Sequence, residues 1–206
     1  MYSGITRGLF PVVHLERHDG VTRFTVELSS ELSRQVELGA SIGLDGVCLT
    51  VVAFEGQRVS FEAIPETLER STLGELALGR MLSVERSVRV GDELGGHDVF
   101  GHVVGTGLVV ARRNIGGQLD LTVEVPKSWL KYILPKGFVA LDGSSLTVGQ
   151  VDPAGRFDVH LIPETQRLTN FPNKQVGSRV NVELDSRTVA IVDTVERVLV
   201  ERGLVK

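Results

Sequence analysis

The chain has 206 residues, of which 42% are hydrophobic and 23% charged, with a formal net charge of −4. That is an ordinary globular composition, and it carries no basic field to favour nucleic acid or an anionic membrane. The single cysteine excludes an internal disulfide framework and fits a reducing cytoplasm.

The length suits one large domain or two small ones. No apolar run approaches a membrane span, and the opening MYSGITRGLF lacks the hydrophobic core of a signal peptide. In chain order, short strands bounded by Gly, Pro or Asp are predicted over 24–28, 47–53, 59–64, 119–125, 146–150 and 157–162. Helical turns are predicted over 30–37 and 127–133. Alternation is clearest in Phe157, Val159 and Leu161, with Asp158 and His160 on the other face. Strands so evenly spaced indicate a small sandwich or barrel. The period then changes. Val192, Val195 and Leu199, flanked by Ile191 and Val198, recur at spacings of three and four, while Asp193, Glu196, Arg197 and Glu201 take the opposite side. This is an amphipathic helix over about 188–203, stopped by Gly203. It packs on its own barrel or pairs with copies of itself.

One cassette occurs twice. Leu44-Asp45-Gly46-Val47-Cys48-Leu49-Thr50-Val51 returns as Leu141-Asp142-Gly143-Ser144-Ser145-Leu146-Thr147-Val148, an offset of 97. Asp-Gly is a tight-turn signal, and the residues after it suit a strand. Ile64-Pro65-Glu66-Thr67 returns as Ile162-Pro163-Glu164-Thr165, now at an offset of 98. The added residue falls in a hairpin turn, where insertion is cheap. The longer offset also pairs Ser83-Val84-Glu85 with Asn181-Val182-Glu183, and Tyr2-Ser3-Gly4-Ile5 with Phe100-Gly101-His102-Val103. Repeats are diagnostic of architecture. Two domains are expected, 1–97 and 98–194, the second running into the terminal helix.

The chain has 23 glycines but neither a Gly-x-x-x-x-Gly-Lys loop nor a GxGxxG, which argues against nucleotide folds. His97 and His102 could suggest a metal pair, but no Cys/His/Asp cluster stands at ligand spacing, so no metal is expected. His97 reads as ordering the junction between the halves, and His14, His18 and His160 as surface or interface residues.

With the two cassettes, the paired Ile-Pro-Glu-Thr segments and Gly95-Gly96-His97-Asp98-Val99-Phe100-Gly101-His102 in view, the chain resembles the riboflavin synthase family of lumazine-binding repeats over its full length. The resemblance implies an all-β fold of two tandem Greek-key β-barrels plus a C-terminal α-helix. It implies a homotrimer assembled through those helices, with one lumazine per barrel. The active site would lie where the first barrel of one subunit faces the second barrel of a neighbour. The implied reaction is dismutation of two 6,7-dimethyl-8-ribityllumazine molecules by four-carbon transfer, giving riboflavin and 5-amino-6-ribitylaminouracil without metal or redox cofactor. Ser41, Cys48 and His102 are placed in the reaction zone, with Lys136 contacting substrate from the facing barrel. The usual opening Met-Phe-Thr-Gly-Ile is here Met1-Tyr2-Ser3-Gly4-Ile5, Ser83 stands for the usual Asn, and Asp98 and Phe100 stand where Leu and Ser are common.

Such a reaction must hold two bulky heterocycles face to face, which converts an encounter in solution into a local event. Backbone groups for the pteridine edge are expected from Gly4, Ile5, Thr6, Cys48, Leu49, Thr50, Glu62, Ala63, Ile64, Pro65, Glu66 and Thr67 in the first barrel. In the second they are expected from Gly101, His102, Val103, Ser145, Leu146, Thr147, Leu161, Ile162, Pro163, Glu164, Thr165 and Gln166. Chemistry is sought where the halves differ: Cys48 faces Ser145, and His102, able to move protons near neutral pH, faces Gly4. Asp185, whose repeat mate is Ser87, is a weaker candidate, as is His97. A non-catalytic lumazine- or flavin-binding protein of antenna type is the alternative; retention of Ser41, Cys48, His102 and Lys136 favours the enzyme.

Overall fold

The computed structural model describes residues 1–204. Strands β1 (Leu9–His18), β2 (Val21–Glu27), β3 (Ser41–Leu44), β4 (Val47–Glu55), β5 (Arg58–Ala63) and β6 (Met81–Arg86) close into one antiparallel barrel in the order β1-β2-β5-β4-β3-β6. Strands β7 (Gly105–Ile115), β8 (Gln118–Glu124), β9 (Phe138–Leu141), β10 (Ser144–Asp152), β11 (Arg156–Leu161) and β12 (Arg179–Leu184) repeat that order in a second closed barrel. Closure leaves no free sheet edge.

The local sequence explains both barrels. Asp45-Gly46 and Asp142-Gly143 adopt positive φ at both residues (45° and 77°, 42° and 82°), the geometry of the tight hairpin turn that matches strand twist. Register slips at Val12/His14 and Val51/Ala53, and again at Val109/Ala111 and Val148/Val151. These paired bulges bend the long strands so that each sheet can close. Inside, Phe24 packs on Phe61 at 5.8 Å between ring centroids with Val26, Leu44 and Leu82 buried around them; Phe157, Leu121, Val139 and Val182 fill the second barrel.

The helices depart from the expectation in detail. The turn predicted over 30–37 is the single-turn α1 (Ser30–Ser33), and that over 127–133 is a 3-10 turn (Lys127–Tyr132). The Ile-Pro-Glu-Thr segments do not continue the strands. They start α2 (Pro65–Arg70) and α3 (Pro163–Leu168), because proline's fixed φ suits a first helical position and needs no N–H there.

The terminal helix α4 (Ser186–Glu201) begins two residues earlier than expected, since Asp185 caps it by accepting from Thr188 N–H at 2.7 Å. Part of its polar side is docked, while Arg197 and Glu201 are exposed. Lys131 pairs with Asp193 and Glu196, Tyr132 donates to Asp193 at 2.5 Å, and Val189 packs on the second core. The apolar stripe of Ile191, Val195 and Val198 therefore points away from the barrel, at 65%, 51% and 38% exposure. No helix among the described residues is long and apolar enough to cross a membrane.

Candidate active site

Each last strand carries one buried carboxylate, and these build the sites. Glu85 accepts from Ser3 N–H at 2.8 Å and from the Ser3 hydroxyl at 2.9 Å. Its repeat mate Glu183 accepts from the N–H groups of Phe100, Gly101 and His102 at 2.7, 2.9 and 3.1 Å. Burial pushes both carboxyls up, and the N–H donors oppose it. Each glutamate thus ties the lead-in segment of its own half.

Those segments then cross to the other barrel. Ser145 N–H donates to Gly4 C=O at 2.8 Å, and Cys48 N–H donates to Gly101 C=O at 3.0 Å. Gly4 and Gly101 have φ of 73° and 77°. A Cβ on Gly4 would lie 2.5 Å from Ser145 Cβ, and one on Gly101 would lie 2.5 Å from Cys48 Cβ. Only glycine serves at both places. This corrects the grouping expected from sequence order: Gly4, Ile5 and Thr6 lie with the second cassette, and Gly101, His102 and Val103 with the first. Sequence distance misled here because each lead-in segment precedes its own barrel yet packs on the other.

Around Ser145 the groups form a cleft of about 190 Å³ lined by Gly4, Ile5, Thr6, Ser144, Ser145, Ile162, Glu164, Thr165, Leu168 and Thr169. The Thr6 and Ser144 hydroxyls meet at 3.0 Å on its wall. His97 closes in from the junction: its Nδ1 lies 2.6 Å from Ser145 Oγ and its ring stacks on Phe138 at 5.1 Å. Burial holds His97 below the usual histidine range, while Asp185 and Asp98 pull the other way. The corresponding place in the first half holds Cys48, half-buried, beside the exposed His102. The two sites are therefore alike in frame and unlike in reactive groups.

The other expected residues differ in exposure and in partners. Leu49, Ala63, Leu146 and Leu161 are buried in the barrel cores, so only their backbone is available to a ligand. Thr50, Ile64, Pro65, Glu66, Thr147, Ile162 and Pro163 are exposed, with Thr67 half-buried. Glu62, Glu66 and Glu164 are occupied by Arg23, Arg70 and Arg167; Gln166 donates to Leu161 C=O at 2.9 Å. Ser41 pairs with Thr50 across β3 and β4, and its C=O accepts from the Ser87 hydroxyl at 2.8 Å. Lys136 is exposed at φ 66° where the first half has Gly39 at φ 83°. A side chain kept in the left-handed region costs about 1 kcal/mol. Asp185 spends its carboxylate on Thr188.

Sequence reasoning did not assign Glu85 and Glu183, or the buried dyad between the barrels. Gly46 and Gly143 touch back to back, a Cβ on Gly46 falling 2.4 Å from Gly143 N. Asp45 accepts from Ser83 N–H and pairs with Arg80; Asp142 accepts from Asn181 N–H and pairs with Lys174. Burial and the facing Asp142 push Asp45 up, partly offset by Arg80. The signal available was identity between the halves, since Asp45/Asp142 and Glu85/Glu183 are each unchanged. Among the described residues no three His, Cys, Asp or Glu side chains group as a metal site.

The family model for the lumazine binding domain matches twice, over residues 3–87 and 100–185. Riboflavin synthase of Escherichia coli (strain K12) is 43% identical over 203 residues, covering 98% of this chain and 95% of that protein. The chain belongs to the riboflavin synthase family. A riboflavin synthase of Buchnera aphidicola (subsp. Baizongia pistaciae) is 38% identical over 200 residues, covering 97% of this chain and 94% of its own. In fold, the chain superimposes on LumP complexed with riboflavin with a TM-score of 0.83 at 23% identity, over 90% of this chain and all of that one. The family's duplicated domain is the unit whose lead-in segments cross here.

Proposed function

We propose that the chain dismutates two molecules of 6,7-dimethyl-8-ribityllumazine, moving a four-carbon unit from one to the other to release riboflavin and 5-amino-6-ribitylaminouracil. It is a transferase, a riboflavin synthase like its relatives. The observation that carries the mechanism is the pair of crossed lead-in segments, which gives one chain two ligand frames of the same design and different chemistry. Each frame offers backbone N–H and C=O groups from a lead-in segment, a cassette and an Ile-Pro-Glu-Thr turn. Ile64 and Ile162, 53% and 60% exposed, supply apolar walls for a flat heterocycle. Holding both substrates supplies much of the acceleration through proximity.

In the first frame Cys48 and His102 are assigned to proton movement, with Ser41 beside them. In the second, Ser145 and His97 hold the other lumazine, and Lys136 reaches across. The facing frame comes from a neighbouring subunit. The support for this is α4, which docks Asp193 and Glu196 on its own barrel and leaves Ile191, Val195 and Val198 outward, a stripe suited to self-association. A homotrimer in the cytoplasm, with lumazine as substrate and without metal or redox cofactor, completes the reading. Incubation of the purified protein with the lumazine alone tests it. Riboflavin absorbance should grow with no additive, whereas tight binding without turnover would replace the enzyme with a binding protein.

A further inference from the structure

Tyr2 is 2% exposed. Its ring packs with Val99, Ala140 and Cys48, and its backbone pairs with Val99 in both directions, at 2.6 and 3.1 Å. A phenol in an apolar cluster is costly unless its hydroxyl finds a partner. Here it finds the only cysteine in the chain: the Tyr2 hydroxyl donates to Cys48 Sγ at 3.2 Å. Ser87, which donates to the Ser41 carbonyl at 2.8 Å, and the buried carboxylate of Glu85 are the other polar groups near the phenol.

The two halves differ together at this contact. The repeat mate of Tyr2 is Phe100 and that of Cys48 is Ser145, so the ring hydroxyl occurs in the half that has the thiol and is missing in the half that does not. Ser145 is engaged instead by His97. A neutral thiol is a weak acceptor, whereas a thiolate accepts a charge-assisted bond about twice as strong. A buried donor aimed at sulfur therefore fixes its direction. Burial, then the contact with Cys48, push the phenol's own ionisation upward, so it remains a donor at every working pH.

We infer that Tyr2 is a positioning residue for Cys48, its hydroxyl fixing the sulfur at the edge of the first lumazine frame through the 3.2 Å bond. The effect on turnover rests on the assignment of Cys48 above; the effect on the thiol does not. Tyr2→Phe keeps the ring, and Phe100 shows that a bare ring suits the equivalent place, so the melting temperature should hold. With one cysteine in the chain, iodoacetamide reads Cys48 alone, and its alkylation should be followed from pH 6 to 9 in the native protein and in Tyr2→Phe. Loss of the bond that fixes the sulfur should change the alkylation rate ~3- to 10-fold across this range, a change that the ring alone, kept in the variant, would not produce. In turnover, kcat should fall several-fold with KM little changed. An unmoved alkylation curve overturns the inference whatever turnover does. A moved curve with unchanged turnover overturns the positioning role, and Cys48→Ser then separates the two readings: an inactive Cys48→Ser leaves the site assignment standing, and an active one removes it as well.

Discussion

At the scale of single residues, the proposed chemistry rests on positions where the repeat is broken. Cys48 and Ser145 occupy equivalent places and both donate a backbone N–H to a crossing glycine, so changing the side chain leaves the frame intact. Cys48→Ser should lower turnover by ~10²-fold with lumazine affinity little altered, and Ser145→Cys should cost less; isothermal titration and riboflavin formation measured on both variants check this, and equal losses would mark Cys48 as packing. His97 adds a pH dependence. Its folded form favours the neutral ring because burial opposes the charge, so the unfolded chain takes up the proton first as pH falls below about 6.5. The stability His97 contributes is present above that value and lost as pH drops toward its depressed folded value. Melting temperature followed from pH 7.5 to 5 should fall more steeply in the native protein than in His97→Gln, in which the titration is absent; parallel curves would show that His97 does not titrate on unfolding.

At the scale of elements, α4 reverses the usual arrangement of an amphipathic helix. Asp193 and Glu196 dock it on the exposed Lys131, whose ion pairs contribute little individually, and Asp193 also accepts from the half-buried Tyr132. The apolar stripe they leave outward is the part able to stabilise an assembly. Ile191→Glu with Val195→Glu should lower the mass seen by light scattering, with both barrels still folded by circular dichroism. If the active site is shared between subunits, turnover should fall in step with the mass. A double variant that keeps its assembly would place the interface elsewhere.

At the scale of the whole molecule, the barrels are joined by a buried polar dyad that is complete on one side only. Asn181 donates to Asp45 C=O at 2.7 Å and to Thr72 Oγ1 at 3.1 Å, and accepts from Thr72 N–H at 2.7 Å. Its mate is Ser83, and the mate of Thr72 is Asn170. Ser83 Oγ and Asn170 Oδ1 are both buried without a partner, because serine is too short for the bonds the longer amide makes on the other side. Ser83→Asn should therefore stabilise the protein by about 1 kcal/mol, whereas Asn181→Ser should cost about 2–3 kcal/mol by stranding buried groups. Chemical denaturation of both variants reads the difference, and losses of similar size in both would mean that the dyad is not organised by the repeat.

By itself the sequence determined a duplicated, strand-rich chain, and its motifs carried the family resemblance that implied two barrels. Asp-Gly turns, period-two strands and a cassette recurring at 97 positions are local properties, written in backbone preferences and in which face of a strand is apolar. It also singled out Cys48, Ser145 and His102, since these break a visible repeat, and His97 at the junction between the halves. What the tertiary structure decided is which segments meet. Gly4–Thr6 and Gly101–Val103 each cross to the other barrel because a glutamate on the last strand of their own half ties down their N–H groups, and because Gly46 and Gly143 let the cassettes touch. It also decided that α4 docks through Val189, Asp193 and Glu196 and leaves Ile191, Val195 and Val198 outward. Both outcomes depend on contacts between residues tens of positions apart, and local pattern carries no record of which of two equivalent barrels a segment will bury itself against.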